Sequence, residues 1–291
     1  MPEQLYKLLV QQYGEKIASE IKQEQEKEKN VTLRVNNLKS NIEEIQQELI
    51  QSNIKFRKVD WYKDALIIEN AREDKIKQLS IYEDGKIYLQ SLSSMLPPII
   101  LEPKENENIL DMAAAPGGKT TQIASITNNK AWITACEKNK IRGERLKYNL
   151  EKQGVRSVNV MFQDARNLSD FFSFDKILLD APCSGSGTQD INKIEDVEEL
   201  VERSSKVQEQ LLTKALKLLK SGHEMVYSTC SILSIENEDV INKVLQKVKA
   251  QIVPIEKIEG IEMLKTKIEG TLCVKPSELF EGFFVAKIRK I

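Results

Sequence analysis

The sequence has little of what metal centres and histidine-based catalysis require. Its 291 residues include a single histidine, His223, and four cysteines that form no CxxC pair. One histidine excludes Ser-His-Asp triads, HExxH motifs and multi-histidine metal sites. The wide spacing of the cysteines argues against both a zinc site and a secreted disulfide framework. We therefore expect a protein that holds no metal ion.

Long apolar runs and an excess of positive charge are missing as well. No stretch approaches the roughly 18 consecutive apolar residues of a membrane span, and the opening MPEQLYKLLV lacks the apolar core of a signal peptide. The 43 lysines and arginines are offset by 44 aspartates and glutamates. We expect a cytoplasmic protein that does not bind membranes, and any polyanion must be held by a local basic patch.

Glycine and proline are too scarce for a collagen-like or wholly disordered chain. The length suits about two domains at roughly 150 residues each. Residues 1–30 are typical of one helix that ends in the charged run IKQEQEKEKN, which we interpret as a solvated face or a linker.

Residues 31–100 predict a small α+β domain. It begins with the strand VTLRVNN and continues with a helix, for which Ser40 is the expected N-cap and Glu43 follows three residues on. Segments rich in residues that favour β-strands then continue to Leu89. The pair Pro97 and Pro98, together with Pro103 in the polar stretch EPKENEN, marks the predicted domain boundary.

Residues 101–291 alternate between strands and helices. The strands are NILDM, AWITACE, SVNVMFQD, DKILLDAP and EMVYSTC. This alternation predicts the α/β class, with a mostly parallel, doubly wound sheet and helices on both faces. The last strand, EGFFVAKIRK, is expected to pair antiparallel at an edge. Ligands of such sheets bind beyond the carboxyl ends of the strands, so the residues that finish the strands are the candidates for chemistry.

A turn of small residues follows the first of these strands. Asp111 ends the strand and AAAPGGKTT opens a helix, where free backbone amides favour anionic groups. The turn is within one residue of a P-loop, because Ala113 stands where the first glycine would be, and ILLD ending at Asp180 would supply the acidic strand. A tight turn without a ligand also fits this segment taken alone.

Acidic residues finish the other strands. Glu137 lies 20 residues after Gly117, the spacing at which a carboxylate meets ribose hydroxyls in nucleotide-binding sheets. Asp164 and Asp180 end the next two strands. A P-loop enzyme has no use for Glu137. Together with Asp111, these carboxylates suggest a binding site for a nucleoside.

Two cysteines share the same predicted edge. Cys183 in DAPCSGSGT and Cys230 in STCS lie in loops just past strand ends, where a thiol is accessible. Cys136 and Cys273 are expected to be structural. His223 is separated from Cys230 by a strand of roughly 23 Å at 3.3 Å per residue, so it is a poor candidate for a catalytic base.

Taken in order, these motifs resemble the Fmu/Sun (RsmB/NOP-type) family of S-adenosylmethionine-dependent RNA cytosine-5 methyltransferases. The resemblance is carried by RVNNLK, QSLSSMLPP, LDMAAAPGGKT, Glu137, DAR at Asp164, LLDAPCSGSGT, YSTCS and EGFF. It runs from about Val31 to the C-terminus, and the DAPCSGSGT and STCS pair is its most specific part. The chain departs from the family pattern at Ala113, at QSLSS and at CVKPSELF.

The resemblance implies a Rossmann-like class I methyltransferase domain behind an RRM-like RNA-binding domain. S-adenosylmethionine is the implied cofactor. Its ribose would be held by Glu137, with Arg142 in the same region, and its adenine by Asp164. Its methionine end would be held by the loop formed by Ala113, Ala114, Ala115, Pro116, Gly117, Gly118 and Lys119.

The same resemblance implies three catalytic residues. Asp180 would meet both the cofactor and the target cytosine, Cys230 would be the nucleophile, and Cys183 would help to release the product. Attack of a thiolate on carbon 6 turns the ring into an enamine whose carbon 5 can accept a methyl group. The sequence does not name the base that then removes the carbon 5 proton.

The implied partner is RNA, either ribosomal or transfer RNA. Basic residues outnumber acidic ones between Lys138 and Arg156, which provides a local patch for phosphates, although a solvated helix face explains it equally well. We expect a monomer. Two other classes compete, a P-loop NTPase and a catalytically silent RNA-binding module, and the paired cysteines argue against both.

Overall fold

Two short helices open the chain, which the computed structural model describes in full from residue 1 to residue 291. Helix α1 (Glu3–Tyr13) and helix α2 (Glu15–Glu26) meet at Gly14, whose φ is 82°. Glycine adopts this left-handed conformation without steric cost, so the chain can turn there. The prediction of one continuous helix over residues 1–30 is therefore wrong.

The N-terminal helices pack against the larger domain. Leu5 of α1 and Ile21 of α2 are fully buried in an apolar cluster that they share with that domain. The charged run IKQEQEKEKN is only partly solvated, because Gln25 is buried and donates a hydrogen bond to the Ser186 carbonyl. The prediction of a solvated face or linker is wrong for the buried side of this helix.

The small domain follows as a four-stranded unit. Its elements are β1 (Val31–Val35), α3 (Ile42–Gln51), β2 (Phe56–Lys58), β3 (Ala65–Ile68), α4 (Glu73–Lys77), α5 (Ser80–Glu83) and β4 (Ile87–Leu89). The strands form an antiparallel sheet in the order β2-β3-β1-β4. This is the βαββαβ arrangement of ferredoxin-like and RRM-like domains, so the predicted α+β fold is confirmed.

Helix α3 begins one residue later than predicted. Asn41 is its N-cap, and the Asn41 side chain accepts a 2.9 Å hydrogen bond from the Glu44 backbone amide. The Ser40 hydroxyl instead donates to the Glu44 carboxylate. Asparagine caps a helix as well as serine does, so the residue type alone could not decide between the two positions.

The larger domain is built on one twisted sheet. Its elements are α6 (Leu92–Leu101), β5 (Asn108–Asp111), α7 (Gly118–Ile126), β6 (Trp132–Cys136), α8 (Lys140–Lys152), β7 (Val158–Met161), β8 (Phe174–Asp180), α9 (Val197–Leu218), β9 (Leu219–Thr229), α10 (Glu238–Leu245), β10 (Ala250–Val253), β11 (Leu272–Val274) and β12 (Phe283–Lys290). The strand order is β7-β6-β5-β8-β9-β12-β10, and β11 pairs with β12. Strands β5 to β9 are parallel, as the alternation of strands and helices predicted.

The C-terminal strand is not an edge strand. Strand β12 pairs antiparallel with β9, as predicted, but its other side pairs with β10. The prediction that it closes an edge is therefore wrong. The four residues of β10, AQIV, are too few to show the alternation by which a strand is recognised.

Pro97 and Pro98 lie inside helix α6. Proline 98 lacks the amide that would bond to the Ser94 carbonyl, and this carbonyl instead accepts a 3.0 Å hydrogen bond from Gln90 Nε2. Helix α6 packs against β8, β9 and β12 of the larger sheet. The small sheet ends at Leu89 and helix α6 follows it, so a domain boundary near residue 100 stays a prediction.

The RVNN motif joins the two domains. Arg34 is fully buried and donates a 2.9 Å hydrogen bond to the Thr121 hydroxyl in α7. Asn36 donates a 2.8 Å hydrogen bond to the Gln153 carbonyl at the end of α8. The motif thus attaches strand β1 to the two helices that begin beside the carboxyl ends of β5 and β6.

The helices of the chain all fall short of a membrane span, because none is both long and apolar enough to cross a bilayer. The structure also contains no group of three or more His, Cys, Asp or Glu side chains arranged to hold a metal ion.

Candidate active site

Four predicted carboxylates lie where the parallel strands end. Asp111 is the last residue of β5 and Asp180 the last of β8, while Glu137 follows β6 directly and Asp164 lies shortly beyond β7. These four strands are neighbours in the sheet. The structure therefore brings all four side chains to one edge of the sheet, where ligands of such folds bind.

Asp111 is a buried carboxylate with a free oxygen. Its Oδ2 atom accepts a 2.6 Å hydrogen bond from the Thr120 hydroxyl, and its Oδ1 atom is buried without a partner. Burial raises the pKa of Asp111 to about 6. A buried oxygen without a hydrogen-bond donor is unfavourable, so this atom is suited to a ligand group that carries N–H.

The loop after β5 is held tightly between helix α8 and the small domain. Gly117 has a φ of 111°, and a Cβ atom there would also lie 3.0 Å from a methyl group of Leu146. A Cβ atom on Gly118 would lie 3.2 Å from the ring of Tyr88 in β4. The small residues of the motif are thus required by a close approach of the backbone to its surroundings.

Glu137 and Arg142 line the next part of the edge. Glu137 is 4% exposed, and its Oε1 atom accepts a 2.8 Å hydrogen bond from the Asn139 backbone amide. Arg142 lies 3.5 Å from Glu137 Oε2 and donates a 2.8 Å hydrogen bond to the Ala115 carbonyl. Arg142 therefore ties the loop after β5 to the carboxylate after β6.

Asp164 forms a close ion pair with Arg166. The guanidinium contacts both carboxylate oxygens, at 3.0 and 2.6 Å, and its hydrogen bonds hold the pKa of Asp164 below the ordinary value. Both residues border a pocket whose other wall includes the apolar side chains of Pro182 and Leu211. A polar pair facing an apolar wall suits a flat heterocycle.

Two cavities flank Ala113. The first, of about 60 Å³, is bordered by Glu137 and Asp164, and the second, of about 220 Å³, is bordered by Asp111 and Asp180. Together they fit a nucleoside with a charged amino-acid tail, since carboxylates suit ribose hydroxyls and the free Asp111 oxygen suits an ammonium group. The residues present therefore fit S-adenosylmethionine.

Asp180 is fixed by two neighbours. Lys119 Nζ lies 2.7 Å from Asp180 Oδ2, and the Ser228 hydroxyl donates a 2.7 Å hydrogen bond to Asp180 Oδ1. Lys119 also donates to the Ser94 hydroxyl at 2.7 Å. The lysine of the GGKT motif is thus engaged with a carboxylate at the active-site edge.

Cys183 and Cys230 meet although 47 residues separate them. Their Sγ atoms lie 2.9 Å apart, and both thiols are free. The hydrogen bond with Cys230, together with burial, raises the pKa of Cys183 well above its ordinary value. Either sulfur can be the donor in this contact, and the raised pKa keeps the Cys183 thiol protonated at neutral pH.

Cys136 is the last residue of β6, directly before Glu137, while Cys273 lies in β11. Cys136 and Cys273 are buried, and burial raises the pKa of Cys136 to about 12. His223 contacts Asp175 at the opposite end of the sheet, with Nδ1 3.1 Å from the Asp175 carbonyl. That these three residues take no part in catalysis stays a prediction.

Two residues at the site escaped the sequence analysis. Ser228 hydrogen-bonds to Asp180, and the fully buried Glu236 accepts hydrogen bonds from Ser184 and Ser231. Ser228 stands within the STCS motif and Glu236 in the loop that follows it. Nearness in sequence to a candidate nucleophile was the only signal that could have singled them out.

Comparison with known proteins identifies the family. The family model described as 16S rRNA methyltransferase RsmB/F matches residues 98–289. The chain belongs to the RsmB/F methyltransferase family. A second model, the RsmF/B-like ferredoxin-like domain, matches residues 1–73 and agrees with the topology of the small sheet.

Named relatives of this RsmB/F protein act on different RNAs. The tRNA (cytosine(49)-C(5))-methyltransferase of Pyrococcus abyssi is 34% identical over an alignment of 280 residues, and the match covers 89% of this chain and 88% of the relative. The ribosomal RNA small subunit methyltransferase F of Shewanella loihica is 35% identical over 89% of this chain, but the match covers only 56% of that relative. The chain thus spans little more than half of the Shewanella protein.

A solved structure agrees over nearly the whole chain. The crystal structure of NSun6 from Pyrococcus horikoshii with SFG superposes with a TM-score of 0.89 at 25% identity, covering 99% of this chain and 98% of that one. The Rossmann-like fold, the methyltransferase class and S-adenosylmethionine as methyl donor are confirmed. Methylation of carbon 5 of an RNA cytosine is confirmed at the level of the family. The P-loop NTPase and the silent RNA-binding module are not supported.

Proposed function

We propose that this RsmB/F protein transfers a methyl group from S-adenosylmethionine to carbon 5 of a cytosine in RNA through a covalent adduct with Cys230. The observation that carries the proposal is the 2.9 Å contact between the Cys183 and Cys230 sulfurs. Cys230 follows β9 directly and Cys183 lies three residues beyond Asp180, the last residue of β8, which borders the cofactor cleft.

The cleft residues would each hold one part of the cofactor. S-adenosylmethionine supplies an electrophilic methyl group on its sulfonium. Glu137 would accept hydrogen bonds from the ribose hydroxyls, and the pocket beside Asp164 would take the adenine. The loop from Ala113 to Lys119 would hold the methionine end, with Asp111 Oδ1 available to its ammonium group. Arg142 keeps this loop in place through the Ala115 carbonyl.

The Cys230 thiolate would attack carbon 6 of the cytosine. A bond forms between sulfur and carbon 6, and the electron pair of the 5,6 double bond makes carbon 5 nucleophilic. Carbon 5 then takes the methyl group. Asp180, held by Lys119 and Ser228, would accept a hydrogen bond from the amino group of the cytosine and so orient the ring for attack.

Release of the product requires that carbon 5 lose its proton. As a base takes the proton, the electron pair of the C–H bond re-forms the 5,6 double bond and Cys230 leaves as a thiolate. We assign Cys183 to this step because its sulfur lies 2.9 Å from the departing one. From there the Cys183 thiol can stabilise the leaving thiolate with a hydrogen bond.

One chain carries both thiols and the complete cofactor cleft, which favours a monomer. The proposed RNA surface consists of the small domain and the basic residues of α8. A paired target cytosine must leave its stack to reach Cys230, at a cost of a few kcal/mol. We further propose that the protein acts in the cytoplasm on either transfer or ribosomal RNA.

Mapping of the modified base tests the function. The protein is incubated with S-adenosylmethionine and with transcripts of transfer RNA and small-subunit ribosomal RNA, and 5-methylcytosine is located by bisulfite sequencing. We expect one defined cytosine to be protected in one class of RNA, and no protection with Cys230→Ala. Intact cofactor binding without methylation of either RNA, in the transcripts or in RNA from a strain that carries the gene, would contradict the proposal.

A further inference from the structure

A buried carboxylate links the two loops that carry the cysteines. Glu236 lies in a short turn after β9 and is fully buried. Its oxygens accept hydrogen bonds from the backbone amide and the hydroxyl of Ser184, at 2.7 and 2.5 Å, and from the Ser231 hydroxyl at 2.5 Å. Ser184 directly follows Cys183 and Ser231 directly follows Cys230, so one side chain holds the residue beside each thiol.

Helix α9 completes this arrangement through Gln208. The buried Gln208 amide donates to Glu236 Oε1 at 3.2 Å and to the Pro182 carbonyl at 2.9 Å. Pro182 precedes Cys183, so the residues on both sides of this cysteine are fixed to the same cluster. The Glu236 carbonyl also accepts a 2.6 Å hydrogen bond from the hydroxyl of the buried Tyr227.

The number of donors explains why a carboxylate occupies this position. Four N–H and O–H groups converge on two oxygens, and an ionised carboxylate has acceptor positions for all of them. Burial raises the pKa of Glu236, while the hydrogen bonds from Ser184 and Ser231 act in the opposite direction. Such a group is costly to bury unless its hydrogen bonds are complete, so the cluster is expected to be rigid.

We propose that Glu236 is a positioning residue that fixes the Cys183 and Cys230 loops relative to each other and so holds the two sulfurs at hydrogen-bond distance. Glu236 forms no hydrogen bond to either thiol and acts through Ser184 and Ser231. The consequence for methylation rests on the proposed function of the cysteines. The effect of Glu236 on the spacing of the thiols does not depend on that proposed function.

Three substitutions separate geometry from charge. Glu236→Gln keeps the length of the side chain, and because serine hydroxyls both donate and accept, they can bond to an amide as well. Glu236→Asp keeps the charge but is one methylene shorter, and Glu236→Ala removes the link. Glu238→Gln is the matched control, because Glu238 is also buried but accepts from the Lys267 backbone amide instead.

The first readout is the spacing of the thiols, which requires no catalysis. Each folded variant is treated with diamide, which takes two hydrogens as the Cys183–Cys230 disulfide forms, and the disulfide is quantified by mass spectrometry. We expect wild type, Glu236→Gln and Glu238→Gln to react at similar rates. Glu236→Asp and Glu236→Ala should react at least about tenfold more slowly, since a displacement of about 1 Å can cost that much or more.

The second readout is the covalent adduct with RNA that carries 5-fluorocytosine. We expect the rates of adduct formation to rank the variants in the same order as the rates of disulfide formation. The cofactor affinity measured by calorimetry should be unchanged in every variant. If no protein forms the adduct, wild type included, while the rates with diamide rank as expected, the covalent function is contradicted and the role of Glu236 is not. The positioning role would be overturned if Glu236→Gln reacted with diamide as slowly as Glu236→Asp is expected to react, or if Glu236→Asp reacted as fast as wild type. Both outcomes can be measured even if Glu236→Ala fails to fold.

Discussion

The Thr120 hydroxyl donates a hydrogen bond to Asp111 Oδ2, while the second oxygen of the same carboxylate is buried without any partner. One hydrogen bond does not offset the cost of burial, and the pKa of Asp111 rises to about 6. The folded chain therefore binds the Asp111 proton more tightly than the unfolded chain does. We infer that the apo protein gives up stability at this position for a carboxylate that can meet a cationic group.

Asp111→Asn should stabilise the apo protein in a pH-dependent way. Because the folded pKa lies above the ordinary 3.8, ionisation of Asp111 lowers the free energy of unfolding as the pH rises from about 4 to about 6, and the loss persists at higher pH. Asparagine still accepts from Thr120 but carries no charge. Urea unfolding should show a gain of about 1 to 3 kcal/mol at pH 8 and a smaller one below pH 4. A gain that is equal at both pH values would contradict this account.

Glu137→Ala should weaken the binding of S-adenosylmethionine by about 1 to 3 kcal/mol, because the substitution leaves ribose hydroxyls unpaired in a buried site. Isothermal titration calorimetry measures this directly. Glu144→Ala on the exposed face of α8 is the control and should bind the cofactor normally. An unchanged affinity for Glu137→Ala would mean that the ribose is held elsewhere. Micromolar binding of ATP without binding of S-adenosylmethionine would reject the assigned cofactor.

Arg34→Ala should lower both stability and cofactor affinity. The buried guanidinium bonds to Thr121 and approaches the Gly118 carbonyl at 3.4 Å, so its loss leaves buried polar groups unpaired next to the cofactor loop. We expect the free energy of unfolding to fall by at least about 1 to 3 kcal/mol. Arg57→Ala removes an exposed ion pair with Glu69 in the same small sheet and should change stability by less than about 0.5 kcal/mol. Equal effects of the two substitutions would disprove a special role of Arg34.

Charge reversal of Arg145 and Lys147 should weaken RNA binding and leave cofactor binding intact. Both side chains are exposed on α8, and Lys147 also lies 4.3 Å from the ring of Phe162. Loss of phosphate contacts flattens the slope of log affinity against log salt. Reversal of the exposed Lys16 and Lys22 makes the same change in net charge and should leave the slope unaltered. If both pairs alter the slope equally, α8 is not a local RNA contact.

The edge of the sheet could be predicted because parallel strands end together. Once strands were recognised, the placement of Asp111 and Asp180 followed from topology alone. The meeting of Cys183 and Cys230 followed from the same rule, since β8 and β9 are neighbours in the sheet. Their separate roles came from family resemblance and not from the position of either residue.

Features that depend on tertiary contacts could not be predicted. The break at Gly14 lets α1 and α2 both pack on the larger domain, and the Ser94 carbonyl that Pro98 leaves free accepts a hydrogen bond from Gln90. Strand β12 lies inside the sheet because the inconspicuous β10 covers it. Glu236 has the pattern of an ordinary loop acid until its donors are known, because Ser184 comes from the distant loop after β8.

The roles of the two cysteines differ, and separate substitutions should show it. Cys230→Ala removes the nucleophile, so it should give neither methylated RNA nor a covalent complex. Cys183→Ala retains the nucleophile, so attack and methyl transfer can proceed while release is impaired. RNA that carries 5-fluorocytosine should trap the unmodified enzyme in the same way, because fluorine occupies the position of the proton that must leave.

Denaturing electrophoresis of each variant, incubated with S-adenosylmethionine and substrate RNA, tests the covalent mechanism most directly. We predict a shifted protein–RNA band for Cys183→Ala and none for Cys230→Ala. A band formed by Cys230→Ala and lost in Cys183→Ala would reverse the two roles. Equal turnover by both variants, without a band for either, would contradict covalent catalysis by cysteine altogether.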